Sequence, residues 1–323
     1  MRIAIIGAGL SGLATAYHLV NHCEVVIFDS KGIGGGASGI ATGLMHPYTG
    51  EQCRRSLHAT EGMQATRELL QATGSKFSTG ILRLVQEDEQ YEMFLSHVEK
   101  FGDVRLHGPR SFFIESGLTI DCSSYLEGLW QAIQAKGGKL ICEEIQELKA
   151  LADFDHIVVA AGAGIKRFPE LNSLKTYLLK GQVLKCRGMK LPSSSMICKG
   201  YIALSSEPGI CHIGSTYDRD NITEVPDSAK AQGDLFPKVG AFFPDVHALE
   251  VLECRAALRV MRKGHYFPIA QRVKDNVWAL TALGSRGLLY HAYLGKLLAQ
   301  AVLAGDEGSL VDCTTKCNKA VLY

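Results

Sequence analysis

The chain has 323 residues, 46% hydrophobic and 21% charged, with 34 Lys and Arg against 33 Asp and Glu for a formal net charge of +1. That length accommodates two subdomains sharing a large core, and the composition is that of a globular protein. The balanced charge leaves no electrostatic footprint for nucleic acid or a membrane surface. No apolar run reaches the length of a membrane span, and the glycine-broken N-terminus is too short for a secretory signal. The 10 cysteines are scattered, the closest pair being Cys313 and Cys317 in a polar tail, with no C-x-x-C. They read as small buried hydrophobes in a reducing, cytoplasmic compartment; no metal site is expected.

The N-terminal stretch MRIAIIGAGLSG sets an apolar run, Arg2 to Ile6, directly before Gly7, Gly9 and Gly12. A helical pattern follows, with Leu10, Leu13, Ala14, Tyr17 and Val20 on one side. This is the pattern of a buried strand, a tight turn and a helix with an open N-terminus. Gly7 permits the turn, Gly9 lets backbone N–H groups approach a pyrophosphate, and Gly12 lets helix and strand pack closely. A second strand, Glu24 to Phe28, ends at Asp29, where an acid would hydrogen-bond a ribose hydroxyl. An adenine dinucleotide site is expected, without a 2′-phosphate.

The next segment, Lys31 to Pro47, is rich in small residues and brings backbone close to an extended cofactor. His46 and Tyr48 follow it and are candidates to wall that cofactor. A helix-favouring stretch runs from Glu51 to Thr73 and stops at Gly74. Ile81 to Val85 reads as a strand. Gln86 to Phe101 reads as an amphipathic helix with Tyr91, Phe94, Leu95, Val98 and Phe101 turned to the core. Ser124 and Glu127 suggest a capping box opening a helix that buries Leu126, Leu129, Trp130 and Ile133. Strands follow near Lys139 to Cys142 and from Asp155 to Ala161. The second of these ends in Ala160, Ala161 and Gly162, as a central parallel strand at a ligand edge does.

From Lys180 to Gly214 short segments suggest antiparallel strands, and five prolines from Pro192 to Pro244 argue against long helices. A strand from Val277 to Ala282, the turn Gly284-Ser285-Arg286-Gly287 and an apolar helix to about Leu303 complete the chain. The expected fold class is α/β: a Rossmann-like dinucleotide-binding domain from residues 1–76, 118–175 and 261–323. Residues 77–117 and 176–260 form a second, mainly antiparallel-sheet (α+β) substrate domain.

Five features in this order, GAGLSG, Asp29, GGGASG at Gly34–Gly39, AAGAG at Ala160–Gly164 and GSRGL at Gly284–Leu288, resemble the FAD-dependent D-amino-acid oxidase superfamily. The likeness runs nearly end to end. GLMHP at Gly43–Pro47, GYIAL at Gly200–Leu204, IGSTYDRD at Ile213–Asp220 and CRAALR at Cys254–Arg259 are similar to the oxidase domain of the bifunctional enzymes that make methylaminomethyl-uridine in tRNA. The fused methyltransferase domain has no counterpart here.

The resemblance implies FAD as cofactor, lined by Gly7, Gly9, Leu10, Ser11, Gly12, Asp29, Ser30, Gly36, Ala37, Ser38, Thr42, Gly43, Leu44, Ala160, Ala161, Gly162, Gly284, Ser285, Arg286, Gly287 and Leu288. It implies hydride transfer from a carbon next to an amine nitrogen. Arg259 would hold a substrate carboxylate through its guanidinium fork. Arg286 would add positive charge near the flavin, and Tyr201, Tyr217 and His46 are further site candidates. Arg255 shares a strand face with Arg259, the alternative being an ion pair with Glu250 or Glu253. Arg255, Arg259, Arg262 and Lys263 offer a patch for tRNA. The substrate is then an amino acid or N-carboxymethyl amine, one candidate being the carboxymethylaminomethyl group of a tRNA wobble uridine. A D-amino acid dehydrogenase or a glycine or sarcosine oxidase on free small molecules, and a non-catalytic flavin-binding module, stay open. Oligomeric state is not legible.

Overall fold

A computed structural model describes residues 1–41 and 43–310; Thr42, Cys313 and Cys317 lie outside the described residues. β1 (Arg2–Ile6), α1 (Leu10–Leu19) and β2 (Glu24–Phe28) occupy the expected positions. The small-residue loop leads to a two-residue strand, β3 (Leu44–Met45). The helix expected from Glu51 begins only at Ala59, as α2 (Ala59–Ala72). The preceding residues are diverted into turns: Cys53 and His58 take φ of 54° and 51°, and Arg55 is drawn onto Asp103 at 3.2 Å.

β4 (Phe77–Leu84) starts earlier than the Ile81 to Val85 run, and α3 (Asp88–Lys100) follows. Its aromatic stripe packs as expected, with Phe94 against Val85, Phe112 and Ile114. β5 (Val104–Gly108) and β6 (Ser111–Ile120) form a hairpin without a clear period-two pattern in the sequence. α4 (Cys122–Gln134) opens on Asp121, not Ser124: the Asp121 carboxylate accepts from the Ser124 N–H at 3.0 Å. A carboxylate at the N-cap takes the role that the serine was expected to play.

β7 (Lys139–Ile141) and β8 (His156–Val159) return the chain to the first sheet. Then come β9 (Thr176–Arg187), β10 (Ser195–Ile197), β11 (Tyr201–Leu204) and β12 (Ile210–Gly214). The prolines do not keep a helix out of this region, because α5 (Ser228–Gly240) forms with Pro237 near its end. Asp227 caps it, and Ala231, Leu235 and Val239 make one buried stripe at i, i+4, i+8. β13 (Glu250–Arg262), β14 (Ile269–Lys274), β15 (Val277–Thr281) and α6 (Gly287–Ala304) complete the described elements.

The strands build two sheets. The first has the order β14-β15-β8-β1-β2-β7, parallel except for β14 against β15. The second runs β13-β9-β12-β11-β10-β4-β6-β3, with β5 alongside β6. Helices α1, α2, α4 and α6 share one core on the first sheet, and Gly295 lets α6 close onto Ala14 and Thr15 of α1. On the second sheet, α5 covers the face bearing Leu184, Ile202 and Ile213. α3 covers one end of the opposite face. The rest of that opposite face positions the candidate site.

Candidate active site

Four separate segments converge at the opening turn. A Cβ at Gly7, whose φ is +112°, would stand 2.4 Å from the Ala160 carbonyl oxygen, so the end of β8 presses directly on the turn. A Cβ at Gly12 would lie 1.8 Å from the Gly7 oxygen. The Leu10 N–H donates to Ser38 Oγ at 3.1 Å, and Gly34 N–H to the Ala8 oxygen at 2.9 Å, which folds the small-residue loop back over the start of α1. Gly287, at the start of α6, faces Leu10: a Cβ there would meet Leu10 Cδ1 at 3.4 Å.

Asp29 sits at the end of β2, its two carboxylate oxygens accepting from the N–H groups of Ala8 and Lys31, each at 2.8 Å. Gly43 is packed against the Ile120 carbonyl and presents Leu44 into β3. Ser11 and Leu288 are buried, whereas Ser30, Gly36, Gly162 and Ser285 are exposed and Ala37 and Ala161 half-buried. A Cβ at Gly36 or Gly162 would meet nothing within 4 Å. These residues form a backbone cradle at a helix N-terminus, and an adenine dinucleotide fits its chemistry.

The second set of candidates lies on the second sheet. Strand register aligns Arg83, Ile197, Tyr201, Gly214, Val183 and Arg255 in one row across β4, β10, β11, β12, β9 and β13. In-register partners project to the same face, as do residues spaced by two along a strand. Arg259 therefore shares that face. Its guanidinium lies over Gly181, where a Cβ would stand 2.3 Å from Nη2, and its Nη1 donates to the Thr216 oxygen at 3.4 Å. The Tyr201 hydroxyl lies over Gly214 in the same way, 2.3 Å from where a Cβ would be. Tyr217, 60% exposed, carries the Arg259 guanidinium 5.0 Å from its ring centre. Arg255 instead pairs with Glu253 at 2.8 Å.

His46 directly follows β3, and Arg286 opens α6. Arg286 occupies the N-cap of α6, with its guanidinium 4.8 Å from the centre of the Tyr266 ring and 3.4 Å from a Cβ position at Gly50. His46 is buried; burial, followed by the charges of Arg83 and Arg286, pushes its pKa down to about 3, so the imidazole is neutral at physiological pH. Tyr48 does not reach the site: it is fully buried against Phe94 and His97, and its hydroxyl donates to Asp103.

Two site features, Gly181 and Arg83, lie in none of the sequence motifs named above, and the role of a third, Gly214, is not apparent from its motif. Gly181 and Gly214 sit inside strands, where glycine marks a close approach, and only register shows what approaches. Arg83 stands in an apolar strand, and its burial is the signal that alternation alone could not supply.

The sequence matches the FAD dependent oxidoreductase (DAO) family over residues 2–301. It is 24% identical over 317 residues to the tRNA 5-methylaminomethyl-2-thiouridine biosynthesis bifunctional protein of Maricaulis maris, covering 94% of this chain and 52% of that protein. The chain thus spans about half the length of that relative. Human D-aspartate oxidase is 25% identical over 287 residues, covering 81% of this chain and 82% of that one. The fold is similar to that of the glycine oxidase of Geobacillus kaustophilus, with a TM-score of 0.81, 19% identity and 95% of each chain covered. The chain belongs to the DAO family of FAD-dependent oxidoreductases, and its cofactor is FAD.

Proposed function

We propose that the chain oxidises the C–N bond of an amino acid or N-carboxymethyl amine. The observation that carries this reading is the Arg259 guanidinium laid over Gly181 on the sheet face that Tyr201 shares. A guanidinium fork is suited to a carboxylate, and it fixes orientation as well as charge. FAD supplies the hydride acceptor, and the segments meeting at Gly7, Ser38, Ala160 and Gly287 would hold it. In this reading the first sheet and its helices carry the cofactor and the second sheet carries the substrate.

The chain's own residues orient and polarise. Arg259 anchors the carboxylate, and Tyr201 borders the carbon next to the nitrogen. Arg286 at the α6 N-terminus adds positive field to that of the helix dipole. His46 stays neutral and contributes no titrating charge. Loss of hydride from the carbon would leave an iminium ion, which water hydrolyses to an amine, a carbonyl compound and a proton. Anaerobic mixing of the FAD-loaded protein with D-amino acids, glycine, sarcosine and iminodiacetate tests the proposal: at least one should bleach the flavin. No bleaching by any amine would leave a flavin-binding module without turnover.

A second reading places the amine on a tRNA wobble uridine. It is favoured by the match to the Maricaulis maris protein across 94% of this chain. Arg262 ends β13, Lys263 and the 72%-exposed Tyr266 follow it in the chain, and these residues could meet phosphates and a base. Filter binding of unmodified bulk tRNA decides it: retention that falls steeply with salt supports this reading, and no retention at low salt overturns it.

A further inference from the structure

Arg83 is an arginine that the fold buries without an acid. It stands next to the last residue of β4 and is 6% exposed, yet among the described residues it pairs with no carboxylate. Its Nη2 donates to Cys53 Sγ at 3.2 Å, and its Nε is buried with no hydrogen-bond partner. His46, 8% exposed, likewise leaves Nδ1 buried and unpartnered. His46 feels the charge of both Arg83 and Arg286. A buried charge without a counter-ion costs several kcal/mol, a cost that negative charge arriving from outside the chain would offset.

The location says which charge. His46 follows Leu44 by two residues, and Arg286 opens α6; both belong to segments assigned above to the cofactor. We propose that Arg83, with His46, forms a buried electropositive wall that stabilises the negative charge the bound flavin acquires on reduction, and so sets its potential. This rests on the cofactor placement given above and deepens it, adding a strand of the second sheet to the cofactor's surroundings. Two electrons and one proton reach the flavin as hydride, leaving one net negative charge on the ring system; Arg83 needs only proximity to favour that state, because its charge is fixed and desolvated.

Sulfite provides a test that needs no amine. It adds to flavin N5, forming one S–N bond, and places negative charge on the ring without an oxidant. The FAD-loaded protein should bind sulfite, and Arg83→Met should weaken that binding at least about tenfold while making the flavin potential more negative by about 30 mV, the two-electron equivalent of tenfold. Arg83→Lys should restore most of both. Arg105→Met, which removes an exposed arginine paired with Glu115, should change neither. The apoprotein of Arg83→Met should melt higher than wild type, since an uncompensated buried charge has been replaced by an apolar chain of similar length. Unchanged sulfite affinity and potential in a well-folded, FAD-loaded Arg83→Met overturns the proposal. Failure of every amine to bleach the flavin would overturn the enzymatic reading alone, because the sulfite and potential measurements stand apart from turnover.

Discussion

Arg259 and Tyr201 reach onto neighbouring strands and come to rest over two glycines that are diagonal to each other, Gly181 of β9 and Gly214 of β12. Diagonal positions on paired strands are ~7–8 Å apart. The two polar heads therefore stand over adjacent strands of one sheet face, and each depends on a residue with no side chain of its own.

Gly181→Ala should keep the fold and the flavin but lift Arg259 out of place. Displacement of an orienting group by about 1 Å can cost about 100-fold, so kcat/KM for a carboxylate-bearing amine should fall by that order. Arg259→Met should do at least as much damage, and Arg259→Lys should rescue only part, lacking the planar fork. Steady-state kinetics beside the flavin-to-protein ratio checks this; a normal kcat/KM in Gly181→Ala would show that the Arg259 position is not used.

Gly7→Ala attacks the cofactor cradle. The backbone there is left-handed and the new methyl would collide with the Ala160 carbonyl. Strain of this kind costs about 1–3 kcal/mol, and the opened turn should lose FAD. Purified Gly7→Ala should be colourless or nearly so, with a lower urea midpoint. A yellow protein at full flavin stoichiometry would contradict the assignment of this turn.

His291 links α4 to α6. Its Nε2 accepts from the Tyr125 hydroxyl at 2.8 Å, and Nδ1 faces the Gly287 and Leu288 carbonyls at 3.1 and 3.2 Å. Burial pushes its pKa from 6.5 down to about 4, the two carbonyls opposing the shift only in part. The unfolded chain therefore takes up a proton that the folded chain refuses, and stability is lost as pH falls from 6.5 toward 4. Urea midpoints measured across that window should fall for the wild type and fall less steeply for His291→Gln. His46, held near 3, extends the same acid sensitivity below pH 4.

Asp103 ties α3's end of the second sheet together. Burial alone would raise its pKa, but hydrogen bonds from Tyr48 and Ser116 and the charge of Arg55 outweigh burial and lower it. A depressed carboxylate stabilises the fold above its unfolded pKa of 3.8, and that stability is lost as pH drops through the folded value. Asp103→Asn should cost about 1.5–3 kcal/mol at neutral pH, the usual worth of hydrogen bonds to a charged group. The difference from wild type should shrink below pH 3.8; a gap independent of pH would assign the loss to packing instead.

Local patterns were sufficient for β1, α1 and β2, because a glycine-punctuated strand and helix are short-range structures. The apolar stripe of α3 was equally plain, and so was the run ending at Ala160. The β5–β6 hairpin was not, since Glu115, Ser116 and Gly117 interrupt its alternation and its pairing is made by β4. α5 was hidden by Pro237, whose place near the helix end is apparent only once the stripe of Ala231, Leu235 and Val239 has a sheet to lie on. Arg259 was legible through its neighbours in sequence. Arg83 was not, because burial of a charge is a property of the assembled sheet.

The strand at the heart of the first sheet is the first one synthesised, and it lies between β2 and β8 while its turn is walled by Gly287. A nascent chain on the ribosome exposes this glycine turn early but lacks its last wall until almost all of the described residues have left the exit tunnel. On the cofactor placement proposed above, capture of the flavin is a late event, completed when α6 docks on α1, and any truncation that removes α6 should yield a chain unable to retain the cofactor however intact its N-terminal motif.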